Sequence, residues 1–227
     1  RGRVPVIMGV SEQSLSRALQ EVEAATAAGA DIVLATPPFS YPITPASIAD
    51  YFEQLAAASA LPVILCNNSE AHTPLGPGEL EGLSRIPGMI GVKDFSDFVQ
   101  IERLLANVHR DGDFIVWAAE EYFLGPALFL GARYSILGGP GNLVPGWGVE
   151  LHQATEAGDW EQVAALHLRL VAFCDALYAL SDSPYSTVKA ALALMGYGCG
   201  RAVAPLPALS AEQVDQVRTV LGRFEVL

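Results

Sequence analysis

Lys93 ends the apolar run Met89-Ile90-Gly91-Val92 and is followed at once by Asp94; the chain has only one other lysine, Lys189. Such a run reads as a buried strand. A buried ammonium is costly, so an amine placed there either finds a partner or gives up its proton. A deprotonated lysine at a strand tip is a nucleophile, and its characteristic chemistry is Schiff-base formation with a carbonyl. The alternative is a strand-end lysine whose stem packs while its head reaches water. Cys66, at the end of an earlier apolar run, carries a thiol that donates or accepts a proton with an ordinary pKa near ~8.5; buried free cysteines more often serve only as small packing residues. Glu120 and Glu121 are an acidic pair able either to hold a polar substrate or to cap the helix after them, where the dipole favours negative charge. The glycines of Gly138-Gly139-Pro140-Gly141 are explained by turn formation alone, and the four histidines show no metal-ligand spacing. Neither a metal nor a cofactor is expected.

These residues need elements to hold them. Short apolar runs alternate with amphipathic stretches, which predicts strands over 4–8, 31–36, 62–66, 89–93, 114–118 and 134–137. Helices are predicted over 11–28, from Thr44 onward, and over 77–85, 97–109 and 120–130. Gly29 is the expected stop of the first, and Thr44 the N-cap of the second, with Pro45 at the first helical position. Beyond residue 142 the pattern is helical, over roughly 143–157, 159–180, 184–197 and 210–224. Asp159, Ser183 and Ser210 read as caps, the last paired with Gln213 in a capping box.

Six strand–helix units in series have the rhythm of parallel βαβ architecture, and near-continuous apolar strands suit a sheet covered on both faces. One closure is a doubly wound sheet, which needs a switch point and usually a Gly-rich first turn; Gly9-Val10-Ser11-Glu12 is not one. The other is a (β/α)8 TIM barrel, which needs eight strands and typically about 250 residues. The chain has 227 residues and six predicted strands, two units short of a barrel.

Composition narrows the function. Half of the residues are hydrophobic and 17% are charged, which suits a globular protein with a sizeable core. The formal charge of −12 opposes binding to a phosphate backbone, so no nucleic-acid partner is expected. No apolar run spans a bilayer. Three scattered cysteines without a CxxC pattern fit a reducing compartment, and a cytoplasmic setting is the expectation.

The string Gly91-Val92-Lys93-Asp94-Phe95-Ser96-Asp97 resembles the lysine strand of the dihydrodipicolinate synthase/N-acetylneuraminate lyase family of class I, Schiff-base-forming (β/α)8 aldolases. The likeness continues through Arg3-Val4-Pro5-Val6-Ile7-Met8-Gly9-Val10, Thr36-Pro37-Pro38, Leu61-Pro62-Val63-Ile64-Leu65-Cys66-Asn67, Gly131-Ala132-Arg133-Tyr134-Ser135 with Asn142, and Ser183-Pro184-Tyr185-Ser186-Thr187-Val188-Lys189. These resemble, in order, the family's third, fourth, fifth and eighth strands and its C-terminal helical region. The resemblance implies a partial TIM barrel over 1–142, strands three to eight, with the last barrel helix and C-terminal helices over 143–227. The first two βα units are expected upstream or on a partner chain.

In that family the lysine amine attacks the ketone of a 2-oxo acid, and the iminium becomes an electron sink. The resemblance therefore assigns Lys93 as nucleophile and points to a lyase, aldolase or dehydratase, acting on pyruvate or a 2-keto-3-deoxy sugar acid. Pro38, Phe39, Tyr41, Asn67, Ala119, Glu120, Leu137 and Gly138 fall at the expected substrate contacts. Other positions depart from the pattern. Cys66 stands where the family has its proton-shuttle tyrosine, Phe39 where a second hydroxyl is usual, and the synthase arginine is missing near His72. A degenerate homologue that binds a 2-oxo acid without turnover is the competing expectation. The family's habit of assembling as dimers of dimers implies a homo-oligomer.

Overall fold

The apolar run that ends in Lys93 is strand β4 (Met89–Asp94), and it lies among β1 (Ile7–Gly9), β2 (Ile32–Ala35), β3 (Val63–Asn67), β5 (Ile115–Ala118) and β6 (Tyr134–Ser135). The six form one sheet in the order β1-β2-β3-β4-β5-β6, with every neighbouring pair parallel. The computed structural model describes residues 2–68, 74–108 and 114–227. A doubly wound sheet reverses its strand order at a switch point. This one never does, so of the two predicted closures its order is that of a barrel wall.

Two compact units emerge. The first holds the residues up to Ala119 together with Leu130–Ser135, and so contains the whole sheet. Its helices are α1 (Leu15–Ala28), α2 (Pro45–Ala58), α3 (Pro77–Leu83) and α4 (Phe98–Asn107). Each presents an apolar stripe; on α2, Ile48, Phe52 and Leu55 are fully buried, which stabilises the unit by roughly 1.5–3 kcal/mol per side chain. Alternation along the strands sorts the sheet into two faces. Val33, Ala35, Val63, Leu65, Val92, Val116 and Ala118 are wholly buried. In the registers Leu34↔Ile64, Ile64↔Gly91 and Gly91↔Ile115, the intervening positions make up the opposite face.

The second unit comprises Glu120–Phe129 and Ile136–Leu227. It is helical: a 3-10 turn (Glu121–Phe123), α5 (Leu124–Phe129), α6 (Pro140–Leu143), α7 (Pro145–Glu156), α8 (Trp160–Tyr178), α9 (Pro184–Leu194) and α10 (Ala211–Arg223). Its core joins Phe173 and Leu177 of α8 to Ala191, Val217 and Leu221, and Leu170 and Cys174 to Leu124, Leu128 and Leu151.

The predicted caps all form. Thr44, Asp159, Ser183 and Ser210 accept from the backbone N–H groups of Ser47, Gln162, Ser186 and Gln213, and Gln213 closes the capping box. Gly29 ends α1 in the left-handed region at φ 82°. Several boundaries differ from expectation: β1 begins at Ile7 rather than 4, β6 ends at Ser135 rather than 137, α3 at Leu83 rather than 85 and α9 at Leu194 rather than 197. The first helix starts at Leu15 rather than near Ser11, because the Ser11 hydroxyl accepts instead from the N–H of Thr36, 3.0 Å away. The expected helix 120–130 opens as a 3-10 turn, since Pro126 has no N–H for the carbonyl of Tyr122. The expected helix 143–157 starts instead at Pro145, the first residue of α7, and the short helix α6 forms before it within the stretch expected as a loop. His72 and the expected helix end at His109 lie outside the described residues.

Candidate active site

Asp94 shows which way Lys93 points. The Asp94 carboxylate, 1% exposed, accepts from Asn67 Nδ2 at 2.8 Å, from Gln100 Nε2 of α4 at 2.9 Å and from the N–H of Ser96 at 2.8 Å. It is therefore turned to the helix layer. Lys93, one residue earlier, projects from the other face, the one that points inward in a barrel of this kind. Its register partners are Cys66 on β3 and Trp117 on β5, and neighbours in register on parallel strands share a face. One residue past β2, Thr36 continues the same row. Thr36, Cys66, Lys93 and Trp117 thus cross the C-terminal ends of four consecutive strands, where barrel active sites lie.

The row has a defined floor. One turn of the pleat below Lys93 lies Gly91, where a Cβ would overlap the carbonyl oxygen of Ile115 and the ring of Trp117. Glycine at 91 lets β5 and the Trp117 ring close in beside the strand that carries Lys93. Above, the Lys93 Nζ lies 3.7 Å from the centroid of the Phe95 ring. The half-buried amine has found a partner of the kind that favours a cation. The Cys66 thiol is 8% exposed. Burial pushes its pKa up, the charge of Lys93 pulls it back, and Asp94 pushes it up again. The thiol therefore keeps its proton at neutral pH. The Thr36 hydroxyl is shielded from solvent and has no hydrogen-bond partner among the described residues. Sequence reasoning passed over Thr36, Phe95 and Trp117; the period-two alternation that places Lys93 also places Thr36 and Trp117.

The other predicted residues fall in distinct places. Asn67, 1% exposed, lies on the helix-facing side; its amide donates to Leu75 O and accepts from Leu75 N, both at 3.0 Å, and so ties the end of β3 to Leu75. Pro38 is buried, while Phe39 and Tyr41 are about half exposed. Gln13 holds their loop, accepting at Oε1 from the N–H groups of Phe39 and Ser40 at 3.1 and 2.8 Å, and at its carbonyl from the Tyr41 hydroxyl at 3.0 Å. Ala119 is buried, its N–H donating to Asp94 O at 3.1 Å.

In the helical unit, the acidic pair divides its roles. Glu120 is half-buried, its carboxyl pushed up by burial first and by Glu121 second. Glu121, 7% exposed, accepts from the Tyr178 hydroxyl at 2.7 Å, while the backbone N–H groups of Tyr122 and Glu121 pull the Glu120 carboxyl back toward its charged form. Gly139 packs against that hydroxyl, where a Cβ would overlap it. Leu137 packs with Leu151, Leu170 and Cys174, and exposed Gly138 accepts from the Asn142 side-chain amide. Burial pushes the Cys174 thiol from an ordinary 9.0 up to about 12. A group whose pKa rises on folding contributes stability below its unfolded value and loses it as pH climbs to the folded one. Melting temperatures should therefore fall as pH rises from 9 to 12. Cys174→Ala should flatten that decline without abolishing it, because the half-buried Tyr178 hydroxyl shifts in the same direction.

Among the described residues no group of three or more His, Cys, Asp or Glu is placed to hold a metal ion, and no helix is long and apolar enough to cross a membrane.

Comparison with known proteins agrees with this arrangement. The model of the dihydrodipicolinate synthetase family matches residues 1–223. A 4-hydroxy-tetrahydrodipicolinate synthase of Methanoculleus marisnigri is 29% identical over 222 residues, covering 97% of this chain and 75% of that protein. An uncharacterized DapA-like lyase of Halobacterium salinarum is 31% identical over 210 residues, 92% of this chain and 67% of its own. Among solved structures, YagE, a prophage protein of the dihydrodipicolinic acid synthase family from Escherichia coli K12 in complex with pyruvate, superposes with a TM-score of 0.91 at 25% identity, over all of this chain and 77% of that one. The sheet order and these neighbours make the fold TIM-barrel-like, and the chain belongs to the dihydrodipicolinate synthetase family of enzymes.

Proposed function

We propose that this chain is a class I lyase that condenses Lys93 with the ketone of a 2-oxo acid, such as pyruvate or a 2-keto-3-deoxy sugar acid, and uses the iminium for aldol cleavage or dehydration. The observation that carries the reading is the placement of Lys93: at the C-terminal end of its strand, on the face away from the helices, beside a protonated thiol. Condensation forms the C–N bond and expels water, so a proton must reach the departing oxygen. Cys66 is the donor in register with Lys93. Pro38, Phe39, Tyr41 and Ala119 are the proposed contacts on the unit that carries the lysine, and the family resemblance adds Glu120, Leu137 and Gly138. Asn67 acts by holding the strand end. On this reading the sheet is part of an eight-stranded barrel, with residues 1–142 supplying six units and 143–227 the last barrel helix and the C-terminal helices, and the protein assembles as a dimer of dimers.

Borohydride reduction in the presence of pyruvate tests the reading. A stable mass gain of one reduced pyruvate, mapped to Lys93, is the expected result. A second reading, a binding protein without turnover, draws on Phe39, which lacks a hydroxyl, and on Tyr41, whose hydroxyl already donates to Gln13. No adduct under saturating 2-oxo acid would favour it. If the thiol carries the proton, Cys66→Ala should lower turnover by about 100-fold, with the pyruvate adduct still forming, more slowly.

A further inference from the structure

The Lys93 nitrogen sits 3.7 Å from the centre of an aromatic face supplied two residues later by its own chain. An aromatic face attracts a cation through its quadrupole and does nothing comparable for a neutral amine. Phe95 is half-buried, so the attraction acts partly out of water. On β3 the titratable group in register with Lys93 is the Cys66 thiol; on β5 the register partner is Trp117, which does not titrate. Asp94, on the same strand, is turned to the opposite face and engaged by three donors.

We propose that the Phe95 ring is a positioning group that holds the Lys93 nitrogen in cationic form at the strand end, as the ammonium before condensation with a 2-oxo acid and as the iminium after it. The proposal rests, for its second half, on the Schiff-base reading above. The balance is simple. The ammonium and the ketone give the protonated iminium and water; one C–N double bond replaces one C–O double bond, two of the ammonium protons leave in the water, and the positive charge stays on nitrogen. That charge is absent only in the free amine and the neutral carbinolamine. A ring beneath the nitrogen therefore favours both ends of the condensation. It raises the pH at which the amine becomes free, and it keeps the iminium protonated, the form that accepts electrons from the bond being broken.

With only two lysines in the chain, the ammonium half can be tested without reference to turnover. Lysine labelled with 13C at Cε should give two side-chain resonances, and Lys189, exposed on α9, serves as the internal control. Phe95→Leu keeps an apolar side chain of similar bulk but removes the ring face. Its Lys93 titration midpoint should fall by about 0.5–1.5 pH units, while Phe95→Tyr and Phe95→Trp should titrate like the wild type. The pH midpoint for trapping pyruvate with cyanoborohydride should fall by a similar amount in Phe95→Leu alone. A Lys93 midpoint unchanged in a folded Phe95→Leu protein overturns the proposal. Should Leu prevent folding, Phe95→Met is read in the same way. Wild-type protein that shows the ring-dependent titration but traps no pyruvate overturns the Schiff-base reading and the iminium half with it, while the ammonium half stands on its own titration.

Discussion

Lys93→Met is expected to leave the protein folded and to remove on the order of 1000-fold or more of its turnover on a 2-oxo acid, together with the entire borohydride adduct. Methionine is nearly isosteric with the lysine stem, and its sulfur packs well against an aromatic ring, so the contact with Phe95 survives in an apolar form. Removing a half-buried charge costs the fold little, and the melting temperature should hold or rise. What disappears is the nucleophile. Lys93→Arg separates charge from chemistry: the guanidinium still rests over the Phe95 face as a cation but stays protonated and forms no imine, so this variant should be as inactive as Met. Lys189 is exposed on a helix of the other unit, and Lys189→Met should trap pyruvate at the wild-type rate. Retention of the adduct in Lys93→Met, or its transfer to Lys189, would place the chemistry elsewhere in the molecule.

How much of this was legible in the sequence depended on the range of the interaction. The caps at Thr44, Asp159, Ser183 and Ser210 are three-residue affairs, and each formed as the local pattern predicted. The strand under Lys93 was legible because an apolar run ending in a charge has few other readings. The 3-10 opening ahead of Pro126 and the start of α7 at Pro145 also have a visible cause in the sequence, prolines inside the expected helices. The remainder is long-range. The bond between Glu121 and Tyr178 spans 57 residues, and that between Asn67 and Asp94 spans 27. No local pattern announces either. Asn67 read as a substrate contact because of its place after Cys66, yet a shift of one residue along a strand changes the face a side chain occupies, and Asn67 shares its face with Asp94 rather than with Lys93. The cation–ring contact of Lys93 with Phe95 joins side chains two residues apart at the strand end; alternation permits it but does not require it.

Asp94→Ala should be the most destabilising substitution near the site that leaves the reacting groups untouched, costing about 3 kcal/mol. The carboxylate is wholly buried and is held by three donors. Asn67 Nδ2 and Gln100 Nε2 both have Leu75 O as a second acceptor, so their loss is partial. The N–H of Ser96, in contrast, would be left buried without the oxygen it uses, next to a new cavity. For a chain of this size the change corresponds to a fall in melting temperature of about 6–12 °C. Asp94→Asn preserves the volume and should still lose more than half of that. One amide can face Ser96 N with its oxygen only by turning its NH2 toward the NH2 groups of Asn67 and Gln100, donor against donor. The double variant Asn67→Ala with Asp94→Ala should cost clearly less than the sum of the two single changes, because the pair shares one bond and one packed volume. Strict additivity would mean that the two side chains stabilise the strand ends independently, and that Asp94 does not lock β4 to the end of β3. Lys93 stands next to that lock, so pyruvate trapping by Asp94→Asn, measured well below its melting temperature, should slow about tenfold even though no atom that reacts has been changed.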